Sequence, residues 1–276
     1  MRVLRLNDSG EDVLILQKLL QDHGLCIEST GVFDSQTHQG ITSFQDKQQL
    51  SNDGVVGYQT WENLLFSNKE ISTPTTKEDY RRVAYLLDIE PAVIRAVEEV
   101  ETGGVGGFVA LGKPPVLFEG HIFWDRLKRK GIDPELYVEG NEDILYPKWD
   151  KSFYKKGIEE YGRLERARKI DQEAADKSTS WGKFQIMGFN YAACGVNSIE
   201  EFLHLMCRSE LDQLLLFTKF IYRQKRASFP DDPEKYLISA LRAKDWANFA
   251  RMYNGPLYSN NSYDIKLEAA YKKYSL

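Results

Sequence analysis

Apolar residues recur at helical spacing through most of the chain, and the breaks in that spacing fall at glycines, prolines and polar runs. From Asp12 to Leu20 the apolar positions are Val13, Leu16, Leu19 and Leu20, which predicts an amphipathic helix with Ser9 or Asp8 available as its cap. Gly31-Val32-Phe33-Asp34-Ser35-Gln36-Thr37 then matches Gly54-Val55-Val56-Gly57-Tyr58-Gln59-Thr60 at an offset of 23 residues. Each copy runs into a helical pattern, Ile41 and Phe44 in the first, Trp61, Leu64 and Leu65 in the second. Two glycine-led turns feeding short helices make residues 1–66 a small three-helix domain. The stretch 67–77 is polar, carries Pro74 and predicts a linker. Residues 78–276 read as a larger, mostly helical domain, with stripes at Tyr80, Val83, Ala84 and Leu87, at Leu211, Leu214, Leu215, Thr218 and Ile221, and at Trp246, Phe249, Ala250 and Tyr253. No series of alternating strands predicts a large sheet. A short β element is expected near Val116-Leu117-Phe118, after the break at Pro114-Pro115. The expected fold class is therefore mainly α.

Glu101 stands where folding alone would not put a carboxylate. At about 100° per residue, Val93, Val97 and Val100 fall within roughly a 60° arc, and Glu101 lies on its shoulder beside Ile94. Pro91 suits the first turn of this helix, where its missing N–H costs nothing, and Gly103-Gly104 suits the stop. Glu101 thus occupies the last turn, where the carbonyl end of the helix dipole and the apolar neighbours both disfavour ionisation. A carboxyl that stays protonated near neutral pH is what a general acid needs. The alternative is a solvated glutamate in the acidic run Glu98, Glu99, Glu101.

Composition narrows the chemistry by exclusion. The chain has 276 residues, enough for two domains with proper cores, and a net charge of −5 that gives no support for nucleic-acid binding. The first residues hold no apolar run long enough for a secretion signal, and no later window approaches a membrane span, so no stable membrane insertion is expected. Cys26, Cys194 and Cys207 are an odd number without paired spacing, which predicts reduced thiols in a chain made in the cytosol. A monomer is expected. His23, His38, His121 and His204 show no HExxH or histidine-rich spacing, and no cysteine pair stands at zinc-ligand distance, so neither metal nor other cofactor is expected. His121 alone is expected to pack or hydrogen-bond. Serine and cysteine nucleophiles lack a recognisable base partner or elbow motif. Carboxylate chemistry remains.

Three segments are expected to meet around one groove. The first is Val100-Glu101-Thr102-Gly103-Gly104. The second is Ser180-Trp181-Gly182-Lys183-Phe184-Gln185-Ile186-Met187-Gly188, where Gly182 lets the backbone approach a ligand and Gln185 offers donor and acceptor to a sugar amide or hydroxyl. The third is the aromatic turn Tyr253-Asn254-Gly255-Pro256-Leu257-Tyr258. Sugar rings have apolar C–H faces and polar rims, and Tyr and Trp beside Gln and Asn suit them.

Residues 4–65 resemble the common peptidoglycan-binding domain of cell-wall hydrolases. The resemblance rests on Leu16-Gln17-Lys18-Leu19-Leu20, Gly31-Val32-Phe33-Asp34 with Thr37, Phe44-Gln45, and Asp53-Gly54-Val55-Val56-Gly57 with Thr60-Trp61 and Leu64. Phe44 and Trp61 serve the core and the glycines serve turns, so wall recognition falls to polar groups on the turns, with Asp34, Asp53 and Gln59 as candidates. Residues 78–276 resemble the lysozyme and lytic-transglycosylase superfamily, and more narrowly the N-acetylmuramidase domain of modular bacteriophage endolysins. Here the matches are Ala96-Val97-Glu98-Glu99-Val100-Glu101-Thr102-Gly103-Gly104, Pro115-Val116-Leu117-Phe118-Glu119-Gly120-His121-Ile122-Phe123, Ser180 through Gly188, and Tyr253-Asn254-Gly255-Pro256 followed by Tyr258. Gly120 departs from the pattern, which tends to carry a larger, often basic residue before the histidine.

The resemblance implies a lysozyme-like fold for the larger domain, Glu101 as catalytic acid, and hydrolysis of the β-1,4 bond from N-acetylmuramic acid to N-acetylglucosamine in bacterial peptidoglycan. Glu119 is the candidate second carboxylate; otherwise water is held by polar groups such as Ser180 or Gln185. Ser180, Gln185, Tyr253, Asn254 and Tyr258 are the candidate substrate contacts. Two alternatives stay open: a lytic transglycosylase acting on the same bond, and a wall-binding structural protein. Without a signal sequence, an endolysin is expected to wait in the host cytoplasm until a separate protein permeabilises the membrane.

Overall fold

Helices α1 (Glu11–Asp22), α2 (Ser35–Lys47) and α3 (Tyr58–Phe66) carry the apolar positions read from the sequence into one small core, where Val13, Leu16, Leu20, Phe33, Ile41, Phe44, Trp61 and Leu64 are buried. The computed structural model describes residues 2–67, 74–103, 106–223, 237–255 and 262–275. These form two compact units, Met1–Ile71 with Ala84–Asp88, and Ser72–Val83 with Ile89–Leu276.

The internal echo of the first unit has a physical basis. Gln17, fully buried on α1, accepts from Gly31 N (2.8 Å) and donates to Val32 O (3.0 Å) and Thr37 Oγ1 (3.0 Å). Gln45 on α2 repeats the pattern with Gly54 N (2.9 Å), Val55 O (3.0 Å) and Thr60 Oγ1 (3.2 Å). Each glycine-led turn is clamped by a glutamine of the preceding helix, which satisfies backbone groups that burial would otherwise leave unpaired. Gly31 and Gly54 take φ of +73° and +68°, a region that favours glycine. Neither Ser9 nor Asp8 caps α1. The helix starts after Gly10 without a side-chain cap, because Asp8 is occupied by Arg5 N (2.9 Å) and Arg2 Nη2 (2.6 Å).

The second unit is helical around a small sheet. After α4 (Lys77–Leu87), whose residues divide between the units, come α5 (Pro91–Thr102), β1 (Val116–Phe118), α6 (Gly120–Arg129), α7 (Glu160–Ile170), α8 (Gln172–Lys177), β2 (Thr179–Trp181) and β3 (Ile186–Met187). Helices α9 (Ile199–Arg208), α10 (Glu210–Arg223), α11 (Leu237–Ala243), α12 (Trp246–Asn254) and α13 (Tyr263–Tyr274) follow. Most of α10 is buried, as befits a central helix, with Leu211, Leu214, Leu216, Phe217, Phe220 and Ile221 in the core. The strands pair antiparallel in the order β1-β2-β3, with Leu117 opposite Ser180 and Ser180 opposite Met187. Among the described residues, no helix is long and apolar enough to cross a membrane, and no cluster of His, Cys, Asp or Glu is arranged to hold a metal ion.

Candidate active site

Helix α5 presents Glu101 on its last turn, with Pro91 at its first position and Gly103 in the left-handed region (φ +58°) at its end. Ala92, Val93, Ile94, Ala96 and Val97 are buried along the preceding turns, so the helix is anchored well before the glutamate. Burial pushes the Glu101 carboxyl up to about 7, against the opposing pull of a hydrogen bond from the Asn254 side chain at the end of α12. Tyr253 and Tyr263 lie close enough to feel the Glu101 charge, and burial followed by that charge raises both phenols. Glu101 is thus a carboxyl about half protonated near neutrality, beside an amide that can follow its change of state.

The segment 180–188 is a hairpin whose strands β2 and β3 are joined by Gly182 to Gln185. Ser180 Oγ donates to Gln185 Oε1 (2.7 Å), and Gln185 Nε2 donates to Gly182 O (2.9 Å). Gln185 takes φ +45°, a strained conformation for a residue with a side chain, and such strain concentrates at functional sites. The Tyr253 hydroxyl donates to Phe184 O (2.6 Å), tying the hairpin to α12 next to Glu101. The structure therefore brings Glu101, Tyr253 and Asn254 to the hairpin that bears Ser180 and Gln185. Tyr253 is packed against Phe217, Phe220 and Phe249, with its hydroxyl already committed, so it frames the site from behind. Gly182 is explained by packing and not by ligand approach: at φ +74°, a Cβ there would stand 2.9 Å from Gln213 Oε1 and Met206 Sδ. Gly104, Pro256 and the candidate contact Tyr258 lie outside the described residues.

Glu119 sits in a second polar cluster at the start of α6. Its Oε2 accepts from the Tyr154 hydroxyl (2.7 Å) and lies 3.3 Å from His121 Nδ1. Burial raises its carboxyl above the ordinary range, opposed by Tyr154, His121 and Arg163. Gly120 is required by its neighbours, since a Cβ would lie 2.4 Å from the Tyr146 ring and 2.8 Å from Ile144 O. The larger residue expected there has no room in this chain.

One network was missed in the sequence. Lys183, in the hairpin turn, is buried and pairs with both Glu98 of α5 and Glu210 of α10, the latter at 2.8 Å. Tyr80 donates to Glu98, while Glu210 also accepts from Gly107 N (2.8 Å) and Thr75 N (3.2 Å). Burial favours the neutral Glu210, yet Lys183 and the backbone donors hold its carboxyl below the usual range. Glu98 lies one helical turn before Glu101, so the lysine fixes α5 to the hairpin. The available signal was Lys183 itself, a cation between apolar residues of the 180–188 segment.

In the first unit, Asp34 caps α2 by accepting from Thr37 N (2.8 Å), which holds its carboxyl below the ordinary value. Asp53 accepts from Val55 N (2.9 Å) and Gln45 Nε2 (3.1 Å), and Gln59 is exposed on α3. The two aspartates therefore shape the glycine-led turns.

A buried carboxyl tuned to neutrality and linked to a polar hairpin is the equipment of a glycoside hydrolase. Residues 90–275 match the N-acetylmuramidase family, and the chain belongs to it. Residues 9–64 match the family described as a putative peptidoglycan binding domain. The crystal structure of Burkholderia AP3 phage endolysin is similar over 99% of both chains, at 35% identity and a TM-score of 0.62. N-acetylmuramoyl-L-alanine amidase CwlM of Mycobacterium tuberculosis is 30% identical over 124 residues, which is 44% of this chain and 30% of that protein. The chain thus spans less than a third of that curated relative.

Proposed function

We propose that this protein is an endolysin that hydrolyses the β-1,4 bond between N-acetylmuramic acid and N-acetylglucosamine, with residues 1–66 holding the wall, 67–77 as linker and 78–276 performing the cleavage. The observation that carries this reading is the Glu101 carboxyl, raised to about 7 by burial in a chain of the N-acetylmuramidase family. Protonated Glu101 gives its proton to the glycosidic oxygen as the bond from the muramic anomeric carbon breaks. Water adds to that carbon, and the proton it releases restores the acid. Asn254 stabilises the carboxylate formed between these steps. Ser180 and Gln185 line the approach for sugar hydroxyls or the incoming water.

Glu119 is engaged by Tyr154 and His121. These contacts favour a role in holding the groove wall over a role as second catalytic carboxylate. Glu119→Gln would then retain most turnover, whereas a loss as deep as that of Glu101→Gln would restore it as base or nucleophile. The transglycosylase reading stays in play, since that reaction needs only the acid and the muramic 6-hydroxyl. Mass spectrometry of digested sacculi separates the two by one water. Free reducing muramic ends are expected, and predominantly anhydro-muramic ends would replace hydrolysis with cyclisation. Access to the wall is proposed to follow permeabilisation of the host membrane by another protein.

A further inference from the structure

Far along the chain from Glu101, the last turn of α6 faces the start of α8 around a cavity of about 160 Å³ lined by Arg126, Arg129, Lys130, Glu173, Ala174 and Lys177. Four cations meet one carboxylate there. Glu173 is shared between Lys177 (2.5 Å) and Lys130 (3.2 Å), and Lys130 is also held by Asp171 (2.7 Å). Among the described residues, no carboxylate lies within ion-pair distance of Arg126 or Arg129.

Arg126 is the informative member. Its guanidinium lies 4.9 Å from the ring of Phe189, and its Nε is buried without an acceptor among the described residues. Burial, and then the like charge of Arg129, pull it below the ordinary guanidinium pKa, with only Glu173 opposing. Basic residues in the last turn of a helix offset its dipole, which accounts for Arg126, Lys128 and Arg129 being there at all. Dipole compensation does not account for an inward-facing Nε, for an aromatic cover, or for a further lysine brought in from α8. In a chain whose net charge is −5, this convergence is local: the two lysines are paired with Asp171 and Glu173, and among the described residues the two arginines have no carboxylate at ion-pair distance.

We propose that this cavity is a binding site for a phosphate group. Guanidinium forks match phosphate oxygens in pairs, and two arginines without counter-ions balance a doubly charged anion better than a single carboxylate. The space is below the roughly 300 Å³ of pockets that enclose whole small molecules, so it takes one group and leaves the remainder outside. Free phosphate presents these oxygens with up to two charges, and the phosphodiester of a lipid headgroup presents two of them with one charge; both match a guanidinium fork.

The test uses the full chain, titrated calorimetrically with inorganic phosphate at constant ionic strength. Saturable binding is expected, weakened by about ten-fold or more in Arg126→Gln, the scale of one charge-assisted hydrogen bond. Because Arg126 is partly buried, Arg129→Gln serves as an exposed second variant, and it must weaken binding without changing the melting temperature. Sedimentation with phosphatidylglycerol vesicles, against phosphatidylcholine vesicles, separates the sources: arginine-dependent vesicle binding assigns a headgroup, and phosphate binding without it assigns a free phosphate. If the parent binds neither, or if Arg129→Gln binds both as the parent does, the site does not exist.

Discussion

Glu101 couples function to stability through one proton. Its raised pKa means that the folded state holds this proton more tightly than the unfolded chain does. Stability is therefore full below the unfolded value near 4.5 and declines as pH rises through about 7. Glu101→Gln removes that loss. The variant is expected to match the parent's melting temperature near pH 4 and to exceed it at pH 8, by on the order of 1–3 kcal/mol in unfolding free energy. Its turnover should fall by at least about 10² to 10⁴, the worth of a general acid. In the parent, turnover should decline as pH rises past about 7, because only the protonated carboxyl can donate. A Glu101→Gln protein that is no more stable at pH 8, or that keeps near-parental turnover, would remove Glu101 from the acid's place. The helix period and the glycine stop made this residue legible in the sequence. Asn254 was legible only as part of an aromatic turn suited to a groove, because its hydrogen bond to Glu101 depends on packing that no local pattern encodes.

At the scale of elements, the helices follow their apolar stripes closely, but the hairpin was not foreseen as strands. Strands of three and two residues are too short to show alternation, and they exist because β1 lies beside them. The Lys183 network shows why a motif read residue by residue is incomplete. Glu98 points away from the apolar stripe and reads from sequence as solvated, yet α10 and the hairpin close over it. Removing Lys183 leaves Glu98 and Glu210 facing each other with no cation between them. Lys183→Met should cost about 3–5 kcal/mol, the range for breaking a buried ion pair from one side, and chemical denaturation measures it directly. Lys183→Arg keeps the charge and should recover part of that loss. If Lys183→Met is neutral, the clamp between α5 and the hairpin contributes nothing.

For the molecule as a whole, the chain forms two compact units, and Glu101 lies in the second. The first unit has its own core and clamps both of its turns internally through Gln17 and Gln45. Residues 1–66 expressed alone are therefore expected to fold and to sediment with purified sacculi. Tethering raises the effective concentration of the catalytic unit at an insoluble polymer without changing its chemistry. A chain lacking residues 1–66 should then keep its turnover on soluble muropeptide chains and lose activity on intact sacculi, with the deficit shrinking as substrate is raised. Ala84–Asp88 belong to the first unit by packing, so circular dichroism of both fragments must precede the comparison. A folded 1–66 fragment that stays in the supernatant would remove the binding role and leave the cleavage chemistry standing, because Glu101, Asn254 and the hairpin all belong to the second unit.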